Sequence, residues 1–484
     1  MPDQPHPGND GAMSARLRPL TIGILAIITC AAFEAMAVVT AMPSVAAELN
    51  GESSYGLAFS MYLTASLLGT VLAGSWCDRS GPRPALAVGM ALMTSGLLVS
   101  GAAPVFWLMT TGRAVSGLGG GFMIVAVYVI IGQAFPQRTQ PVVFGWLAAA
   151  WVVPSLVGPY LSGVLAEQAS WRWVFLGVMP IVVGAFVLVW PRTRALGSPD
   201  QPSLDEQSGR RRALTGLGLA GGVFAAQFAI NSLAGGGFAE PVGATLLTIL
   251  AVLGLAAAAL TFPRLLPPGT VRLARGLPSI IATRGLVNVA FFGAEAFIPL
   301  MLVSARGFDS ATAGLTLSAA ALGWSGGSFL QARVTFRRQW LLVIGATLLS
   351  MSIGGLALSA SPEVPFWILV TVWGLAGFAM GMTLSSTSVL VLKLSPPEER
   401  GRNSASLQLS DQLGGVIGTV GAGGLFALLR DPENPGQVGV FVAIWLALCV
   451  FAVAGIVAGL RGTQEVQPAP GTETAKPRKV PSQE

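Results

Sequence analysis

Hydrophobicity runs along this chain in long blocks rather than in alternation. Apolar stretches of about 20 residues, the length an α-helix needs to cross a hydrocarbon core roughly 30 Å thick, recur from Leu20 to Leu460 with short polar punctuation. Fourteen spans are predicted, at 18–44, 55–77, 84–103, 105–134, 141–166, 173–191, 213–233, 241–262, 279–304, 310–332, 339–360, 364–394, 401–429 and 437–460. The run at 310–332 is the most dilute, with Gly323, Ser325, Gly326, Gly327 and Ser328 close together; such small residues suit close helix packing in lipid. The fold class expected is therefore an all-α polytopic membrane protein. The first run, Leu20 to Ala47, is longer than the apolar part of a secretory leader, so it is expected to be the first span.

Loop charge tests that count, because arginine and lysine collect on the cytoplasmic side of membrane proteins. With both termini cytoplasmic, the inner segments gather Arg16, Arg18, Arg79, Arg83, Arg138, Arg192, Arg194, Arg210 to Arg212, Arg264, Arg272, Arg275, Arg333, Arg337, Arg338, Lys393, Arg400 and Arg402. The outer ones hold only Arg172, Arg306 and Arg430, and carry Glu48, Glu52, Glu167, Glu240, Asp309, Glu363, Asp431 and Glu433. Two Pro- and charge-containing linkers then divide the chain. The expected organisation is a tail at 1–17, six helices at 18–191, a linker at 192–212, a central pair at 213–262, a linker at 263–278, six helices at 279–460 and a disordered tail at 461–484. Six plus two plus six suggests an internal repeat, and Glu34 before Pro43 and Glu295 before Pro299 sit at corresponding places in its two copies.

Composition narrows the function. With 53% hydrophobic and 10% charged residues and a mean hydropathy of +0.68, a water-soluble fold is excluded. The net charge of +6 comes from arginine-rich loops rather than one basic face, so no nucleic-acid partner is expected. Cys30, Cys77 and Cys449 have no paired spacing, and the only histidine, His6, is in a polar tail; neither a metal site nor a His-dependent triad can be assembled. No phosphate-binding Gly-rich loop is present, which disfavours ATP-driven transport and an enzyme. The arginine-rich, lysine-poor usage, with only Lys393, Lys476 and Lys479, suggests a bacterial cytoplasmic membrane.

Four motifs carry a family resemblance. Between spans two and three, Gly74-Ser-Trp-Cys-Asp78-Arg79-Ser-Gly81-Pro82-Arg83 resembles the G-x-x-x-D-R-x-G-x-R loop of the major facilitator superfamily. In span four, Arg113-Ala-Val-Ser116-Gly117-Leu-Gly119 is similar to its R-x-x-Q-G-x-G pattern, with Ser116 in place of Gln. In span five, Pro154-Ser-Leu-Val-Gly158-Pro159-Tyr-Leu-Ser162-Gly163 resembles the antiporter motif G-x-x-x-G-P-x-x-G-G, departing at Pro154 and Ser162. Glu34 to Pro43 resembles the first-span motif of the fourteen-helix drug:proton antiporter branch, with Glu for Asp and Met36 for Thr.

The resemblance implies two six-helix bundles with a central pair of extra helices, and proton-coupled export of amphiphilic small molecules, cationic ones among them, by alternating access. It also implies that Asp78 meets the start of span thirteen, near Arg402 and Asn403, as part of a cytoplasmic gate. An arginine inside a span requires an interior partner, so Arg113 is expected to meet Glu34. Burial favours the protonated acid and a nearby Arg the carboxylate, which makes Glu34 a tunable proton site. Glu295 and Asp411 are further carboxylate candidates for the substrate cavity, with Phe33, Tyr128, Trp151, Phe292, Phe297 and Trp324 as aromatic walls. Gln227 and Asn231 of the central pair are expected to make helix contacts. The expected energy source is a proton gradient without a cofactor, and the expected functional unit is the monomer within its bilayer. Export of an endogenous metabolite, lipid or peptide by the same machinery, and a non-transport membrane sensor, are the alternatives.

Overall fold

The structure, a computed structural model, describes residues 12–136, 138–194, 196, 206–234, 241–334, 338–396, 400–431 and 437–463. All but the first three residues of the tail at 461–484, most of that at 1–17 and much of the linker at 192–212 lie outside the described residues. Among those described, the regular elements are helices only. The first half comprises α1 (Arg18–Glu48), α2 (Leu57–Ser80), α3 (Pro82–Ala102), α4 (Phe106–Ala134), α5 (Gln140–Leu165), α6 (Arg172–Leu176) and α7 (Met179–Val189). The central pair is α8 (Glu206–Ala234) and α9 (Pro241–Leu265). The second half comprises α10 (Leu277–Glu295), α11 (Ile298–Ser304), α12 (Ser310–Arg333), α13 (Arg338–Leu358), α14 (Phe366–Leu394), α15 (Arg400–Leu429) and α16 (Val438–Gly462).

Local chemistry sets many of the boundaries. Proline occupies the first helical positions of α1, α3, α5, α7, α10 and α11, where its missing N–H is no loss. Gly81 turns the chain between α2 and α3 at φ 74°, a left-handed conformation that a side chain resists. Asp309 caps α12 by accepting the Thr312 N–H at 2.6 Å, and that bond holds its carboxyl below the ordinary carboxylate value. Pro299 has no N–H for the Glu295 carbonyl, and the helix is interrupted at Ala296–Phe297 between α10 and α11. By contrast, α1 runs on through Pro43.

Among the described residues, twelve helical stretches are long and apolar enough to cross a membrane, two of them joining α6 with α7 and α10 with α11. This corrects the expected count of fourteen. The segments predicted at 213–233 and 310–332 do fold, as parts of α8 and α12, and among the described residues the apolar part of α8 runs over Leu214–Ile230. In α12 the Gly and Ser residues that dilute hydropathy are contact surface. A Cβ at Gly323 or Gly327 would collide with the α14 backbone, so this helix is built to face protein more than lipid.

The two halves repeat one packing plan. α1 lies on α5 and α7 as α10 lies on α15 and α16; α4 lies on α2 and α3 as α14 lies on α12 and α13. They meet along two equivalent seams, α5 against α12 and α2 against α15. The central pair sits on the second seam: Leu67 of α2, Leu219 of α8, Leu265 of α9 and Leu413 of α15 form one apolar cluster. Gln227 donates to Thr64 Oγ1 at 3.3 Å, the helix contact expected of it; the Asn231 side chain lies outside the description.

Closure is concentrated on the face that carries the loop carboxylates. There Glu167 Oε1 accepts the Ser310 N–H at 2.5 Å and the Ala311 N–H at 3.2 Å, Arg430 pairs with Glu52 at 3.0 Å, and Ser44 meets Ser310 at 3.4 Å. Tyr55, Phe297 and Phe426 form an aromatic plug, with Tyr55 and Phe297 rings 5.4 Å apart and Phe297 and Phe426 rings 5.3 Å apart. The arginines on this face are tied down as well, Arg172 to Glu48 at 2.6 Å and Arg306 to the Val364 carbonyl at 2.5 Å. Towards the arginine-rich face fewer ties between the halves are seen among the described residues, and Tyr128 of α4 is 47% exposed.

Candidate functional site

Glu34 sits at mid-length in α1 and is 1% exposed. Burying one carboxylate in a low-dielectric interior is costly unless a cation and further donors meet it. Arg113 Nη1 reaches Glu34 Oε1 at 2.5 Å, and the Ser116 hydroxyl donates to the same oxygen at 2.8 Å. Ser116, one turn beyond Arg113 on α4, thus fills the place that the resemblance gives to Gln with a shorter donor. Arg113 Nε donates to the Ala58 carbonyl of α2 at 3.0 Å, and its guanidinium carbon lies 4.5 Å from the centre of the Tyr62 ring. The pairing expected from the sequence is present; the two contributions from α2 were not legible there.

α5 runs unbroken through Pro154 and Pro159. A Cβ at Gly158 would touch Phe33 at 3.5 Å, which places this part of the antiporter motif against the helix that bears Glu34. Five residues on, a Cβ at Gly163 would come within 2.6 Å of Ala311 Cα on α12. Ser318 of α12 donates to the Leu156 carbonyl at 2.7 Å. The motif therefore joins the Glu34 surroundings to the seam between halves.

The second half carries its own ion pair, which the sequence reading did not assemble. Arg284 Nε bonds Asp411 Oδ1 at 3.0 Å, Asn288 donates to the same oxygen at 2.6 Å, and Arg284 Nη1 reaches Ser388 Oγ at 2.8 Å and the Leu384 carbonyl at 3.0 Å. An arginine inside a span was the available signal for it. Glu295 is 8% exposed at the break between α10 and α11, and among the described residues no hydrogen bond or ion pair engages it. The three carboxylates are not brought into one cluster.

The aromatic candidates divide in the same way. Phe33, Trp151, Phe292 and Trp324 are half-buried, and Tyr128 stacks on Phe144 with centres 5.4 Å apart. Trp324 packs edge-on to Phe291 at 5.6 Å, and Phe291 stacks on Trp373 at 4.7 Å. Phe297 is wholly buried in the plug, so it seals the seam instead of lining a cavity.

In the loop motif, Gly81 turns as expected, while Gly74 departs from expectation: a Cβ there would meet nothing within 4 Å. Arg83 lies over the Trp190 ring at 4.0 Å. Asp78 is exposed and, among the described residues, takes part in no hydrogen bond or ion pair. Of the residues expected to meet it at the start of span thirteen, Asn403 instead donates to Ser395 Oγ at 2.9 Å, and the Arg402 side chain lies outside the described residues.

Comparison with known proteins supports the same reading. The chain is 24% identical over 438 residues, 88% of its length and 90% of the relative's, to a Mycobacterium tuberculosis protein named as a probable multidrug-efflux transporter. It is 22% identical over 434 residues, 87% of its length and 93% of the relative's, to the multidrug efflux pump SdrM of Staphylococcus aureus. Among solved structures it resembles a bacterial homologue of the human lysosomal transporter Spinster in an inward-facing, unoccupied conformation, with a TM-score of 0.63 at 17% identity, covering 92% of this chain and 96% of that one. The nucleoside transporter NupG matches with a TM-score of 0.61 at 14% identity, covering 92% and 100%. With the family model matching residues 24–419 and 280–483, the chain is a membrane transporter and not an enzyme, and it belongs to the Major Facilitator Superfamily.

Proposed function

We propose that this transporter exports amphiphilic small molecules, cationic drugs among them, in exchange for protons, with its arginine-rich face in the cytoplasm. The observation that carries the reading is the Glu34–Arg113 pair, buried inside one half and packed through Phe33 and Gly158 against the helix that forms a seam with the other. A proton on Glu34 neutralises one member of the pair and changes the electrostatic cost of burying the other. Because α1 and α5 pack together, that change acts beside the surfaces that must separate when access alternates. The less tied arginine-rich face is the one that receives substrate from the cytoplasm, and the closed carboxylate face is the one that opens to release it. α8 packs on α2 and α15, and α12 lies between α5 and α14. The names of the two relatives agree with efflux.

The test is efflux of a fluorescent lipophilic cation from proteoliposomes under an imposed pH gradient. Glu34→Gln keeps the shape of the side chain and removes its titration; gradient-driven efflux is expected to fall at least about tenfold, the size of a lost proton-transfer group. A wild-type, gradient-dependent rate in this variant would falsify the assignment.

A further inference from the structure

The glycines that follow Arg113 do something the ion pair alone does not require. A Cβ at Gly117 would overlap the Tyr62 carbonyl, and one at Gly120 would stand 3.1 Å from the Tyr62 hydroxyl. Their bare surface lets α2 lie so close to α4 that α2 supplies two partners for the guanidinium. Ala58 accepts Nε–H at 3.0 Å, and one turn later the Tyr62 ring lies 4.5 Å from the guanidinium carbon. Ala58 and Tyr62 are both buried, so Arg113 is held from the α2 side independently of Glu34.

The Glu34 carboxylate shows the matching asymmetry. Oε1 accepts from both Arg113 and Ser116, whereas Oε2 is buried and takes no well-formed hydrogen bond among the described residues, the Tyr62 hydroxyl being the donor that stands beside this carboxylate. A guanidinium free to choose grips a carboxylate with two parallel N–H groups; here Nε is engaged by Ala58 and the ring fixes the plane of the group. The geometry points to Tyr62 as a positioning residue that, with the Ala58 carbonyl, keeps the Arg113–Glu34 pair one-pronged and leaves Glu34 Oε2 as the atom that takes the transported proton. This rests on the proton-exchange reading above. An incoming proton bonds to Oε2 and turns the carboxylate into a neutral acid, Arg113 keeps its charge with Ala58 and Tyr62 as partners, and the proton later leaves from the same oxygen.

Few other groups compete. Of the elements packed on α1, α4 presents Arg113 and α2 Tyr62; α5 has only Tyr160, which is exposed, and α7 and α11 have no charged or titratable side chain. Arg172 of α6 and Glu52 of the 3-10 turn Glu52–Ser54 are each engaged in an ion pair at the carboxylate face, and Arg333 lies at the far end of α12.

The experiment measures efflux of a lipophilic cation from proteoliposomes across a pH series. Tyr62→Leu removes the ring and lets the guanidinium swing to cover both oxygens, so the pH of half-maximal exchange is expected to fall by about 0.5–1 unit, the size of a desolvated cation–π contact. Tyr62→Phe keeps the ring and loses only the hydroxyl beside Glu34, so it is expected to shift the midpoint less than a ring-less variant. Tyr62→Met fills the slot without a ring; it is expected to shift as Leu does and replaces it if Leu fails to fold, as read by melting temperature. An unchanged midpoint in a folded ring-less variant, or a Phe shift equal to theirs, overturns the role of Tyr62. If Glu34→Gln is inactive in the same assay, that failure concerns Tyr62 alone; if Glu34→Gln still couples to the gradient, the proton reading itself falls.

Discussion

Each half of the molecule holds an arginine–carboxylate pair inside its helical bundle, and these two pairs differ in wetness. The side chains of Arg113 and Glu34 are 2% and 1% exposed, those of Arg284 and Asp411 11% and 20%. Partial access to solvent softens the loss of a partner, which for a fully buried pair reaches several kcal/mol. Asp411→Ala is therefore expected to cost about 1–3 kcal/mol, seen as a lowered melting temperature in detergent, and Asp411→Asn less, since its carbonyl still accepts from Arg284. An alanine variant as stable as the parent would sink this account. The Glu34–Arg113 pair was legible in the sequence because a charge inside an apolar run demands an interior partner. Tyr62 was not, because a tyrosine in an apolar run looks the same whether its ring faces a guanidinium or lipid. Asp411 was seen without Arg284, since their contact is set by how α10 crosses α15, which loop charge and hydropathy do not encode.

At the level of the helix, apolar length and loop charge foretold nearly every element, and the shortfalls have physical causes. Hydropathy measures preference for lipid, so a helix that spends its surface on other helices scores as too polar; α12 is such a helix, with Gly314 against Pro159 of α5 on one side and Gly323 and Gly327 against α14 on another. The two prolines that mark the internal repeat act differently. Pro43 is accommodated within α1, while Pro299 coincides with a break after Glu295. A sequence reports that a proline removes a donor but not whether the neighbouring turns can absorb the loss. The repeat is therefore exact in packing plan and only loose in local geometry.

For the whole molecule, one face is closed and the other holds fewer ties among the described residues, and transport requires these to exchange. Ser44 and Ser310 face each other across the closed end with their hydroxyl oxygens 3.4 Å apart. In a background lacking Cys30, Cys77 and Cys449, Ser44→Cys with Ser310→Cys is expected to form a disulfide under mild oxidant. Efflux should stop while the bond persists and return on reduction; undiminished efflux by fully cross-linked protein would refute closure at this point. The central pair adds an asymmetry to this exchange. It covers the seam between α2 and α15, and among the described residues the equivalent seam between α5 and α12 has no such cover. A molecule already dissolved in the bilayer thus meets a shuttered flank on one side and an uncovered one on the other, so sideways entry has a single door. A photoreactive lipid analogue should accordingly label α5 and α12 and spare α2 and α15, and equal labelling of both seams would show that the shutter leaks.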